Sequence, residues 1–253
     1  MHPRLWWLAL LVFAPPACAQ PPVELVGQPE LACAAPGAGE SGCATQRTAP
    51  SGQDINAPPN GFAKLEILPA QGDERGEGFY VFGVAPLAGA APYLAFAPAG
   101  GLSEARSWEF FTGRGLSGSV NWVSYGRWQS HGADGAPWSP GKRAALFAAD
   151  EPAGSCTGYD VDWSLGLRRW LVLYSCGSEV RVRVAGAPWG PWSDATVIAS
   201  GAGGTGAVLM AEESPPQPAA SAWRLTTLYW QGVAGADGSR PVFRATLRQE
   251  GGD

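Results

Sequence analysis

Between Phe62 and the C-terminus, apolar residues come in short runs, each cut off by glycine or proline. The strand-like runs are Ala63–Leu68, Phe79–Val84, Tyr93–Ala97, Trp108–Phe111, Asn121–Tyr125, Tyr159–Trp163, Arg169–Ser175, Glu179–Ala185, Thr196–Ala199, Val208–Met210, Trp223–Trp230 and Val242–Arg248. No stretch keeps the spacing of about 3.6 residues, with caps, that a helix needs. Only a short helical turn is expected, near Leu102–Arg106. With 35 Gly and 23 Pro falling between the runs, the chain is expected to be all-β. At 45% apolar and 15% charged, with 12 Trp, it can bury a sizeable core.

The beginning of the chain reads differently. Arg4, the apolar run Leu5–Ala14 and the site Ala17-Cys18-Ala19 before Gln20 have the order of a cleaved secretory signal over residues 1–19. Lipid anchoring through Cys18 is the alternative, although Pro15 and Pro16 fit a lipobox poorly. No segment reaches the ~20 apolar residues of a spanning helix, so no membrane span is expected. Residues 20–58 are dominated by Ala, Gly, Pro and Ser; they are expected to be irregular, ahead of a β domain over residues 59–250. The expected location is secreted or periplasmic.

Four cysteines follow the signal: Cys33, Cys43, Cys156 and Cys176. An even number in an exported chain suggests two bridges. Tyr159–Trp163 and Arg169–Tyr174 read as a hairpin turning near Gly166. If Trp163 faces Arg169, Cys156 falls opposite Cys176, at a separation close to that of a disulfide. That leaves Cys33–Cys43 to close a small N-terminal loop. Free thiols or a metal site are the alternative, but with His131 the one histidine after the signal, zinc is disfavoured and no cofactor is expected. The formal charge of −5 argues against nucleic acid as a partner.

A degenerate repeat runs through the domain. Ala136-Pro-Trp-Ser139 recurs as Gly190-Pro-Trp-Ser193. Phe79–Val84 with Tyr93–Ala97, Arg169–Ser175 with Glu179–Ala185, and Arg224–Trp230 with Val242–Leu247 look like three copies of one pair of adjacent middle strands. Repeats of about 40–50 residues with four strands each suggest propeller blades. An irregular β-sandwich with coincidental Pro-Trp turns is the alternative.

The runs Arg169–Tyr174, Glu179–Ala185 and Pro188–Ser193, with Tyr93–Ala95 and Ser107–Gly113 before them, resemble a bacterial family of secreted five-bladed propellers. That family is related to furanosidase-type glycoside hydrolases and includes endo-D-arabinanases. The resemblance covers about residues 59–248 and implies a shortened, divergent propeller acting on or binding polysaccharide, with arabinan-type glycan as the implied class. The chain departs from the family's pattern in two places. No counterpart of the first-blade acidic residue is visible, and Cys156-Thr157-Gly158 stands where family members often carry a glutamate.

Glycoside hydrolysis needs two carboxyl groups, about 5–9.5 Å apart according to mechanism. Asp160 and Asp162 are the best catalytic pair, because positions i and i+2 of a strand share a face. The hairpin register above places Trp170 on that face as a sugar platform; ordinary solvated carboxylates, or carboxylates paired with Arg181 or Arg183, are the plainer reading. Trp122, Tyr125 and Trp128 form a second, looser set of substrate-binding candidates. Glu212 and Glu213 are expected on a rim loop, and Trp138, Trp189 and Trp192 are expected to pack at corners. Gly201–Gly206 matches G-x-G-x-x-G, but no helix or acidic residue follows at the required distance, so nucleotide binding is not expected. Two functions are therefore weighed: a secreted glycoside-hydrolase-like protein, and a non-catalytic module binding a polysaccharide, cell-surface glycan or protein. An incomplete ring would expose strand edges, and a homo-oligomer is one way to cover them.

Overall fold

The computed structural model describes residues 22–33, 64–70, 75–84, 92–114, 119–124, 145–147, 156–201, 208–213, 223–232 and 240–250. Within them the chain is all-β, with a 3₁₀ turn at Ala105–Ser107. The strands are β1 (Glu24–Cys33), β2 (Lys64–Ala70), β3 (Gly78–Val84), β4 (Tyr93–Pro98), β5 (Glu109–Arg114), β6 (Val120–Ser124) and β7 (Cys156–Ser164). They continue as β8 (Arg169–Cys176), β9 (Glu179–Ala185), β10 (Thr196–Ser200), β11 (Val208–Glu213), β12 (Trp223–Gln231) and β13 (Val242–Glu250). No described helix is long and apolar enough to cross a membrane.

Three antiparallel sheets result, in the orders β2-β3-β4-β5-β6, β10-β9-β8-β7 and β1-β13-β12-β11. Each repeated strand pair read from the sequence occupies the interior of a different sheet: β3-β4, β8-β9 and β12-β13. The β7–β10 sheet lies between the other two. Its Val161, Trp170, Val172 and Tyr174 share a core with Tyr80, Phe82, Leu94 and Phe96 of the first sheet. Its Leu171, Leu173, Val182 and Ile198 share another with Leu209, Leu228, Trp230 and Leu247 of the third. Burial on both faces explains why β8 reads as an almost unbroken apolar run, without the alternation of a strand wetted on one side.

The far face of the third sheet shows that alternation. It carries Arg244 paired with Glu30 at 2.6 Å and Arg248 paired with Glu24 at 2.8 Å, and the Arg248 guanidinium covers Trp223. All four ion-pair partners are substantially exposed, so this face ends the stack in solvent. The first sheet's far face is apolar, with Val81, Ala95, Trp108 and Phe110 buried; the indole of Trp108 donates to the Gly101 carbonyl of the loop before β5.

Within the segment over residues 20–58 expected to be irregular, residues 24–33 form the strand β1; residues 34–58 lie outside the described residues. β1 pairs along β13, with a register shift between Val26 and Glu30 where Gly27 adopts φ 78° and Pro29 follows. Proline and a left-handed glycine interrupt the pattern by which a strand is recognised, yet both are tolerated on an edge strand. Val23, just before β1, is buried against the middle sheet, and its carbonyl accepts from the Thr196 hydroxyl at 2.8 Å. The N-terminal strand therefore completes the sheet built by the last three strands.

Cys156 and Cys176 are opposite one another and disulfide-bonded. The bridge closes a separation of 20 residues, for which chain-entropy reasoning gives about 3 kcal/mol. Replacing both cysteines by alanine is expected to lower the unfolding free energy by about that amount, read from the urea midpoint. The Cys33–Cys43 pairing and the signal over residues 1–19 lie outside the described residues.

Candidate functional site

The hairpin that carries Asp160 and Asp162 has a different register at its tip from the one the sequence suggests. Its turn is Leu165–Arg168, four residues, so Ser164 pairs with Arg169 and Trp163 with Trp170. A bulge between Thr157 and Asp160, with Gly158 at φ 68°, then shifts the register back by one before the cysteines. Between turn and bulge, Asp160 opposes Leu173 and Asp162 opposes Leu171. The two aspartates share a face, as expected, but Trp170 is on the other one. It packs edge-on against Tyr80 at 5.6 Å, in the core between the first and middle sheets.

The aspartate face looks toward the third sheet. Asp160 is buried, 5% exposed, and its Oδ2 accepts from the Leu209 amide of β11 at 2.9 Å. Glu212, also on β11, accepts through Oε1 from the Ser164 hydroxyl at 2.6 Å, from the Gly166 amide at 3.3 Å and from the Thr226 hydroxyl. Ser164 and Thr226 are fully buried. These carboxylates satisfy backbone and hydroxyl donors across a sheet junction, where unpaired polar groups would be costly. Glu212 thus lies within β11 and holds the hairpin turn, in place of the rim loop expected of it.

The described aromatic groups gather elsewhere. A cleft of about 570 Å³ opens between β5, β9 and the Trp189–Asp194 corner, lined by Phe111, Arg114, Phe147, Arg183, Trp189 and Trp192 among others. The corner is built by Gly190, at φ 79°, followed by a cis bond to Pro191. A side chain at Gly190 would meet the Trp192 indole and backbone at 2.8 Å, so the corner requires glycine. Arg114 reaches across from β5 and donates to the Gly190 carbonyl. Burial lowers its pKa.

Arg183 forms the floor. It is 8% exposed, donates through Nε to the Tyr174 hydroxyl at 2.9 Å and through a terminal nitrogen to the Ser193 carbonyl, and lies 4.9 Å from the Phe147 ring centroid. Burial lowers its pKa and the charge of Asp194, at the cleft's edge, opposes that shift. Behind Phe147, Tyr159 and Tyr174 stack at 5.1 Å. Burial pushes Tyr159 up to about 12 and Tyr174 further in the same direction, so both phenols stay neutral. Trp192 packs edge-on to Phe147 at 5.9 Å, and its enclosed Nε1 finds no hydrogen-bond partner among the described residues.

Trp122 borders this cleft. It packs edge-on to Trp189 at 6.0 Å and to Phe111 at 5.8 Å, with the Arg75 guanidinium 4.2 Å from its ring centroid. Tyr125, Trp128, His131 and Trp138 lie outside the described residues, as do the side chain of Glu213 and all but the first residue of the Gly201–Gly206 loop. The sequence reading missed Arg114, Phe111, Phe147, Arg183 and Asp194 as lining groups. One signal was available: β9 alternates Val180, Val182 and Val184 with Arg181 and Arg183, placing cations on one face of a strand between two covering sheets. No protein-family model matches the sequence, and no curated protein is significantly similar to it.

Proposed function

We propose that this protein is a non-catalytic extracellular saccharide-binding module, a shortened relative of propeller glycosidases whose three sheets correspond to consecutive blades. The propeller part of this reading is supported by the up-and-down order within each sheet, and by β1 completing the sheet of the last strands, as a ring-closing strand does. The binding part rests on the cleft at the Trp189–Asp194 corner. It combines aromatic rings, against which sugar C–H groups pack, with the guanidinium and carboxylate groups of Arg114, Arg183 and Asp194, which suit hydroxyls.

Binding is favoured over hydrolysis by the state of the acidic pair. A glycosidase needs two carboxyl groups flanking an accessible bond. Here Asp160 is enclosed and engaged by the Leu209 amide, and Trp170 is separated from it by the thickness of a sheet.

Affinity electrophoresis in gels containing arabinan and a panel of other polysaccharides tests the proposal. At least one polysaccharide is expected to retard the protein, and Arg114→Ala or Asp194→Ala is expected to weaken that retardation about tenfold, the loss of one or two polar contacts. Asp162→Asn should leave it unchanged. Reducing-sugar release that disappears in Asp162→Asn would replace this reading by the hydrolase one. Absence of retardation across the panel would remove saccharide binding altogether.

A further inference from the structure

At the tip of the β7–β8 hairpin two arginines converge on one turn. Arg169 donates through a terminal nitrogen to the Arg168 carbonyl at 3.0 Å, and Arg224, from β12, donates to the neighbouring Leu167 carbonyl at 3.3 Å. No carboxylate oxygen among the described residues forms an ion pair with either guanidinium. Glu212, whose Oε1 accepts from the Gly166 amide of the same turn, is also engaged there by the Ser164 and Thr226 hydroxyls. The Nε of Arg169 is enclosed and has no acceptor among the described residues. Arg168 adds a third positive charge to the turn and takes the left-handed conformation at φ 52°, where an L side chain is strained.

We propose that Arg169 and Arg224 form a binding site for an oxyanion: the acid group of an acidic saccharide, or the same chemistry free in solution. Two guanidinium groups held together cannot relieve their repulsion by deprotonation, because arginine stays charged at any physiological pH. Burial first, and then the charge of Arg224, disfavour the charged form of Arg169, so a negative group placed beside it would stabilise that form. A carboxylate, sulfate or phosphate placed between them would supply that charge and accept parallel N–H bonds from both forks. The strained Arg168 is consistent with this, since backbone strain persists where the surrounding structure requires it. The site is distinct from the aromatic cleft and does not depend on the saccharide reading of that cleft.

Isothermal titration of the full chain with sodium phosphate, with galacturonate and with galactose, all at constant ionic strength, tests the proposal. Phosphate, galacturonate or both are expected to bind, and galactose is not. Binding of phosphate identifies a general oxyanion site; binding of galacturonate alone identifies an acidic saccharide. Arg169→Gln and Arg224→Gln should each weaken binding at least tenfold, while the exposed Arg106→Gln should not. As a second readout, Arg224→Gln should raise the melting temperature of the ligand-free protein, because a like charge is removed. Failure of both anions to bind, or binding that survives both glutamine variants, overturns the proposal.

Discussion

Arg183→Met is expected to lower the unfolding free energy by about 2–4 kcal/mol, the range for leaving buried partners of a charged donor unpaired. Methionine matches the arginine stem in length, so packing along the β9 stem is largely kept. What disappears is the pair of donors to the Tyr174 hydroxyl and the Ser193 carbonyl, and the guanidinium against Phe147. Both acceptors lie in a part of the core where water has little access, since Tyr174 and Ser193 are fully buried. The Ser193 carbonyl belongs to the corner whose serine hydroxyl also receives the Val184 amide at 3.1 Å. Loss of Arg183 should therefore loosen the corner as well as the strand. The measurement is a urea melt of Arg183→Met beside Tyr174→Phe. Tyr174→Phe removes only one of the two acceptors and should cost about 1 kcal/mol. Equal costs for the two variants would show that the Ser193 contact contributes nothing.

Trp230→Ala should cost about 3–5 kcal/mol, as large-to-small changes at buried aromatic positions do. Trp230 is fully buried on β12, stacks on Phe243 of β13 at 5.9 Å and belongs to the core shared with Leu171 and Leu173 of β8. An alanine there opens a void at the junction of the middle and third sheets, which neither sheet can close without moving against its neighbour. Trp223→Ala on the same strand is the control. Trp223 is 37% exposed on the solvent face and covered by Arg248. Its loss forfeits one cation–π contact, about 0.5–1 kcal/mol at an exposed site. Comparable midpoints for the two tryptophan variants would contradict the assignment of Trp230 to a core between two sheets.

Much of this architecture is legible in the chain because it depends on neighbours in sequence. Every strand-like run from Ala63 onward is a strand, with ends displaced by at most three residues, and the expected helical turn is the 3₁₀ turn at Ala105–Ser107. Alternation and β-branching are local properties, so they can be seen one segment at a time. The Cys156–Cys176 bridge was also legible, but through two errors that cancel. The turn is one residue shorter than assumed, and the Gly158 bulge restores the lost residue before the cysteines. Trp170 falls between turn and bulge, where the errors have not yet cancelled, and so it lands on the opposite face from Asp160 and Asp162. A shift of one residue exchanges the two faces of a strand, which is why the proposed platform was lost while the disulfide was kept. β1 was not legible, because Gly27 and Pro29 interrupt its pattern and its pairing partner is more than two hundred positions away.

The sequence by itself determined that this chain makes short antiparallel strands in three related groups, and which two cysteines meet across the central hairpin. Those features need only a period of two, turn residues and the separation of facing positions. Tertiary structure alone decided that the middle sheet is covered on both sides, that the acidic pair looks into one junction, and that aromatic and arginine groups meet in a cleft at the other side. The physical reason is that alternation says a strand has two faces, whereas what each face meets depends on register and on sheets distant in the chain.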